Sequence, residues 1–352
     1  MKILYVFRKW GYEAEYWNRE IEEASDDRFT YIPFNYNSYL ERKLYDRAQL
    51  LDNLYYQKNE GLLKLYEDFE AALDGHHPEA MIVDNGLPFH PDYLRTIPIY
   101  KVLRSPEGST KTYDLDFPFL HAYDHVLYFS PAYSRDMGME DKYRYCGATN
   151  VDFWPLALFD AGFDTTKTEE TILQGERDVD SIFIGTPHWE KIEFLAGVKK
   201  TLGSKCCMYG LCSFKRNIYW NLKFGFPGWF RALPFVDYVP TYQRSKIGIN
   251  VHLRGGYTLG NYRLFDLPGN GLMQLSDGGD ELNHFFEVGE EIISYEGLDD
   301  LVDKVRYYLA HDEERERIAL NGFRRVLKDH RFKQRMRQAG ELIEKGMERI
   351  GY

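Results

Sequence analysis

The sequence predicts an α/β protein built from two doubly wound units, and three observations carry that reading. Compact apolar runs recur after polar, helix-like stretches, which is how buried parallel strands joined by crossover helices read. The alternation breaks once, at residues 164–179, a polar stretch without aromatics, and then restarts. The length, 352 residues, suits two domains of ordinary size.

The elements follow in order. The run at 3–7 (ILYVF) is a first strand starting at the terminus, followed by a loop ending in Trp10-Gly11 and a helix-like stretch at 14–24. Residues 31–34 read as a second strand, and 40–73 as one long helix, with Leu and Tyr at helical spacing and no Pro. Strands are expected at 81–84, 100–103 and 125–129. Together these make a first unit, 1–163, with 164–179 as an inter-domain linker. The second unit, 180–330, opens with a strand at 181–184 running into Gly185-Thr186, then a helix at 190–202 and a strand at 205–209. A strand at 247–251 alternates at period two, a glycine-containing loop leads to a short helix at 263–266, and strands follow at 272–275 and 292–295. The end is expected to be helical, with Leu301, Val305 and Leu309 on one face and Ala319, Phe323 and Leu327 on another. The last segment, 331–352, carries an apolar stripe (Met336, Leu342, Ile343, Met347, Ile350) expected to dock on residues 1–160.

Composition excludes several classes. Apolar residues are 44% and charged residues 28%, so the chain is neither disordered nor collagen-like. The net charge, 44 − 55 = −11, has the wrong sign for a partner made of nucleic-acid phosphate. Cys146, Cys206, Cys207 and Cys212 form no CxxC pair, hence neither a zinc site nor a disulfide framework, as expected in a reducing compartment. The N-terminal apolar run is too short for a signal peptide, and no stretch reaches the ~20 apolar residues that span a bilayer. The expected location is cytoplasmic.

The second half carries the most informative motifs: Asn261-Tyr-Arg263-Leu-Phe265-Asp266-Leu-Pro268-Gly-Asn-Gly271, then Phe285-Phe286-Glu-Val-Gly289, Leu298-Asp-Asp-Leu301, and Ile318-Ala319-Leu-Asn-Gly322 before His330. In this order they resemble the C-terminal domain of GT-B glycosyltransferases, specifically the CgeB-like (spore-maturation-protein-B type) branch related to glycosyltransferase family four. The resemblance spans residues 180–340. It implies two Rossmann-like domains facing a cleft, with a nucleoside-diphosphate sugar of UDP or GDP type held by the C-terminal one. The acceptor, a carbohydrate or lipid-linked hydroxyl, would sit mainly on the N-terminal one. It also implies that the C-terminal helix crosses back to the first domain, and it favours transfer with retention, without cofactor or metal. A non-catalytic nucleotide- or glycan-binding protein and a nucleotide-sugar epimerase are the alternatives on the same fold.

The residues make chemical sense of this. A loop with Gly255, Gly256 and Gly260 lets backbone amides approach a ligand, and Asn261 opens the helix beyond it. Asp266, one turn into that helix, stands where the family's R-x-F-E motif has a ribose-binding Glu, one methylene longer. Its bland reading is a first-turn carboxylate favoured by the helix dipole. Arg263 is read as a catalytic or phosphate-contacting cation, or else as an ion-pair partner of Asp266. Lys246 and Arg254 flank the strand at 247–251, and cations there would stabilise a leaving diphosphate. Gly185 and Thr186 follow a strand end, where open sheets bind ligands; His188 and Lys191 just beyond rank lower. The family's E-x7-E pair lacks its first acid, replaced by Thr258, so Tyr257 and Thr258 are expected to touch the donor sugar instead.

In the first half Gly11 is expected near the diphosphate. Asp84-Asn85-Gly86 and His90 follow a strand end, the place for acceptor recognition or a general base. Asp114 and Asp116 spell DxD, read as chance rather than a metal site. Residues 213–231 hold four basic residues, seven aromatics and no acid, offering a peripheral contact to the inner membrane or an insertion packed on the core. Seven basic residues at 324–337 read as the polar face of a helix.

Overall fold

The first apolar run forms β1 (Lys2–Phe7), whose residues from Ile3 onward are fully buried, as in a central parallel strand. A computed structural model describes residues 1–39, 60–84, 88–105, 112–134, 136–252 and 259–352. Gly11, at φ +56°, turns the chain into α1 (Tyr12–Glu23), which buries Tyr16, Trp17, Glu20 and Ile21 at helical spacing. β2 (Thr30–Asn35), α2 (Glu60–His76), β3 (Ala80–Asp84), α3 (Pro91–Thr96), β4 (Tyr100–Ser105), β5 (His125–Tyr128), α4 (Met139–Tyr145) and β6 (Asn150–Phe153) follow. The strands form one parallel sheet in the order β2-β1-β3-β4-β5-β6. Of the long helix expected at 40–73, the part before residue 60 lies outside the described residues.

The second sheet is also parallel. Its elements are β7 (Val179–Ile184), α5 (Trp189–Leu202), β8 (Cys206–Tyr209), α6 (Phe214–Phe224), α7 (Tyr238–Gln243), β9 (Ser245–Asn250), α8 (Arg263–Gly269), β10 (Met273–Ser276), β11 (Ile293–Ser294), α9 (Gly297–Ala310) and α10 (Asp312–Asp329). The strand order is β8-β7-β9-β10-β11. The core on one face joins α5, α9 and α10 to the sheet through Leu195, Ile249, Leu275, Leu301, Val305 and Ile318.

The chain divides into two compact units, one of Met1–Leu156 with Phe332–Tyr352 and one of Ala157–Arg331. The boundary therefore falls ahead of the stretch read as a linker. Residues 164–179 are polar because they lie on the surface of the second unit, but they are tied to it. Ile172 is buried, and the Arg177 guanidinium donates to the carbonyls of Ile172 (3.0 Å), Asn270 (3.2 Å) and Ser245.

The last helix, α11 (Phe332–Ile350), belongs to the first unit. Phe332, Met336, Ala339 and Ile343 are buried, whereas Ile350, at the end of the predicted stripe, is exposed. Trp154 Nε1 donates to the Arg335 carbonyl (2.6 Å), and the Tyr31 hydroxyl to that of Met336. Arg28 pairs with Glu341 and Glu344, and Arg349 with Asp152. Gly340 faces the Phe29 ring, and Gly346 faces Tyr100 and His125, each too close for a side chain.

Candidate functional site

The carboxyl edge of the second sheet gathers β7 at Ile184, β9 at Asn250 and β10 at Ser276, the edge at which open parallel sheets bind ligands. Arg263, the first residue of α8, reaches across it. Its Nε donates to the Ile184 carbonyl (2.7 Å), its Nη1 to Asn250 Oδ1 (2.8 Å), and its guanidinium lies 4.8 Å from the Phe183 ring centroid. Gly185 makes room for it, since a Cβ there would stand 2.1 Å from Nη2. Burial lowers the pKa of Arg263, which stays protonated all the same. The ion pair with Asp266 does not form.

A buried polar chain holds this arginine. The Asp277 carboxylate accepts the backbone N–H of His252 at 2.9 and 3.0 Å and approaches its Nδ1 at 2.7 Å. With Nδ1 donating, the neutral ring leaves Nε2 to accept from Asn250 Nδ2, 3.4 Å away, which turns the Asn250 carbonyl toward Arg263. Asn261 Nδ2 donates to the same carbonyl oxygen (3.0 Å), and the Tyr295 hydroxyl donates to the Asn250 main-chain oxygen (2.9 Å). These mutual bonds fix one arrangement of Asn250, His252 and Asp277 in a low-dielectric setting and, among the described residues, leave Arg263 Nη2 without a bond.

Lys191, in the first turn of α5, is the second cation. Its Nζ donates to the Val251 carbonyl at 2.7 Å, and burial, with Arg263 adding repulsion, pushes it down to about 7. Asp266 lies beside Gly162, a Cβ at which would stand in ordinary contact, 3.5 Å, with its Oδ1. Among the described residues its carboxylate has no hydrogen-bond donor. Burial pushes it up to about 7, against the attraction of Arg263.

The structure brings together Gly185, Arg263 and Asp266 from the sequence reading. Thr186 is exposed beside them. Arg254, Tyr257 and Thr258, with Gly255 and Gly256, lie outside the described residues. Asn261 is committed to structure, its Oδ1 accepting the Leu264 N–H (3.0 Å) while its Nδ2 holds Asn250. Lys246 is corrected. It sits four residues before Asn250 in the same strand, about 13 Å back along it, and pairs with Asp180 (3.0 Å) at the other end of the sheet.

The first-unit candidates fare differently. Asp84 ends β3 but is buried in an ion pair with Arg104 (3.0 Å) and accepts the Tyr5 hydroxyl (3.1 Å). His90 caps α3, its Nδ1 accepting the Asp92 N–H (3.0 Å). Asn85 and Gly86 lie outside the described residues. Asp116 is fully buried, accepting from Ser105 (2.5 Å) and Tyr143 (2.8 Å). Among the described residues no three His, Cys, Asp or Glu side chains group to hold a metal, and no helix is long and apolar enough to cross a membrane.

Sequence reasoning missed Asn250, His252, Asp277 and Tyr295. The signal was a polar Asn in a strand otherwise buried on both faces, which the period-two reading explained away.

A protein-family model described as "Glycosyl transferase-like" matches residues 193–341. No curated protein matches the chain. Among solved structures the chain is similar to sucrose-phosphate synthase from Thermosynechococcus elongatus, at 13% identity and TM-score 0.60, with 98% of each chain covered. It is similar to Anabaena HepE in complex with UDP-glucose, at 12% identity and TM-score 0.61, covering 98% of this chain and 100% of that one. A glycosyltransferase from Rickettsia africae matches at 12% identity and TM-score 0.56, with 98% of each chain covered. These likenesses show the GT-B fold.

Proposed function

We propose that the protein transfers a glycosyl group from a UDP- or GDP-type nucleotide sugar to a hydroxyl of a carbohydrate or lipid-linked acceptor. The observation that carries this reading is the pair of inward cations, Arg263 and Lys191, beside the side-chain-free Gly185 at a sheet's carboxyl edge. Two held cations suit a diphosphate, whose charge grows as its bond to the sugar breaks. Asp266, a carboxylate without a donor, suits the two hydroxyls of a ribose. The glycosyltransferase-like match and the neighbour solved with UDP-glucose support the same class.

In this reading the sugar's C1–O bond to the diphosphate breaks, the acceptor oxygen bonds to C1, and the acceptor's proton passes to the leaving phosphate. That is the retaining course, which needs no side-chain base. It is supported by the commitment of Asp84 and His90 to structural partners. The first unit would hold the acceptor, and the CgeB-like branch and a cytoplasmic location remain part of the proposal. Calorimetric titration with UDP and GDP, followed by labelled UDP-glucose with product analysis, tests it. Saturable binding with sugar release or transfer supports an enzyme, binding without turnover a sugar-nucleotide binding protein, and no binding contradicts the reading.

A further inference from the structure

Helix α6 turns its apolar residues toward solvent, the reverse of an ordinary surface helix. Its buried side carries Asn217 and Trp220. Opposite them Phe214, Ile218 and Leu222 recur at four-residue spacing and are 70%, 39% and 82% exposed. Exposed Trp229 stacks on Phe214 (5.3 Å between centroids), so helix and following loop present one surface.

The ridge is built to stay where it is. The Ser213 hydroxyl caps the helix, Gly225 closes it in the left-handed region, and Asn217 bonds both the N–H (2.9 Å) and the carbonyl (3.2 Å) of Phe230. Trp220, Phe226 and Phe230 join the core. The outward apolar residues are therefore not needed to hold the helix down.

Charge selects the occupant. Lys215, Arg216, Lys223 and Arg231 are exposed around the ridge, and residues 211–236 contain no acid, in a chain of net charge −11. A second copy docked through this face would set like charges against each other. An anionic bilayer offers the opposite, with lipid phosphates for the cations and an acyl boundary for Phe, Ile, Leu and Trp. We propose that α6 and the loop through Arg231 form a peripheral binding site for an anionic lipid surface. The proposal goes beyond the transfer reading, and its test involves no nucleotide or sugar.

The test is sedimentation of the full chain with vesicles of phosphatidylcholine alone or mixed with phosphatidylglycerol, at low and high salt. Binding should require the anionic lipid and weaken with salt. Replacing Lys215, Arg216 and Lys223 by Ser should weaken it roughly 100-fold, at about fivefold per basic residue. Phe214→Ser, Ile218→Ser and Leu222→Ser combined should abolish it while the thermal melt stays unchanged. If that triple variant folds poorly, Leu222→Ser alone should still weaken binding. No vesicle binding, equal binding to both lipids, or binding indifferent to these substitutions would overturn the proposal. So would a dimer that the apolar variant separates, which would assign the face to a second copy.

Discussion

The Arg263 guanidinium fills the space where residue 185 would carry a side chain, with Nη2 2.1 Å from the Cβ that Gly185 lacks. The strand-end glycine and the helix-start arginine, distant in sequence, are thus one device. Gly185→Ala would push the guanidinium off Ile184 and Asn250. Because the displaced group is the far end of a flexible side chain, the fold should lose only about 1 kcal/mol, a drop of about 2–4 °C for a unit of this size. Diphosphate affinity should fall by ~1.5–3 kcal/mol, the worth of hydrogen bonds to a charged group. Paired thermal melts and UDP titrations measure both, and unchanged affinity would detach Arg263 from the site.

Asp266 and Lys191 should titrate in opposite senses in donor binding. Both lie at about 7 through burial. A ribose binds the ionised carboxylate and a phosphate the protonated amine, so UDP affinity should rise and then fall with pH around that value. Asp266→Asn should leave only the falling limb, and Lys191→Met only the rising one. A flat profile in wild-type protein would contradict both assignments.

The same two groups have stability signatures. Folding raises the Asp266 pKa above its ordinary 3.8, so the folded state keeps a proton that the unfolded chain has released between that value and about 7. Stability should therefore decline as pH rises across that window. Lys191 is lowered from 10.5, so its contribution improves as pH rises from about 7 toward that value. Asp266→Asn should melt higher than wild type at pH above 7 and show no such gain near the ordinary carboxylate pKa, while losing donor affinity. Melting curves across pH check the sign, and an Asn variant less stable at alkaline pH would refute the buried-carboxylate picture.

Gly346 in α11 should report on the first unit alone. A Cβ there would lie 2.3 Å from the Tyr100 hydroxyl and 2.7 Å from His125 Nδ1, both in a packed core. Gly346→Ala should cost ~1–3 kcal/mol by overpacking, seen as faster hydrogen exchange in β4, β5 and α11. UDP affinity should be unchanged, because the proposed nucleotide contacts lie in the other unit.

The sheets were legible because buried parallel strands are short apolar runs, and nearly every such run became a strand. β6 was missed as a strand because Asn150 and Asp152 interrupt its apolar pattern, Asn150 bonding the Asp124 carbonyl and Asp152 pairing with His125. Arg263 and Asp266 were legible as a motif on one helix. Lys246 was misread although its place was legible: it stands at the start of its strand, and in a parallel sheet that is the edge opposite the carboxyl ends where ligands bind. The Asp277–His252–Asn250 chain was illegible because its members come from successive strand ends and meet only once the sheet forms. Residues 164–179 misled because a polar surface segment and a linker share a composition.

Whether Arg263 and its neighbours hold a nucleoside diphosphate is decided by titrating UDP and GDP into wild-type protein and Arg263→Gln. Saturable binding of one diphosphate by the wild type is expected, with binding at least roughly tenfold weaker in the variant from the loss of a charged hydrogen-bond donor and a melt lowered by no more than the roughly 2–4 °C expected of Gly185→Ala. Absence of binding to either nucleotide, or equal affinity in a folded Arg263→Gln, would contradict it.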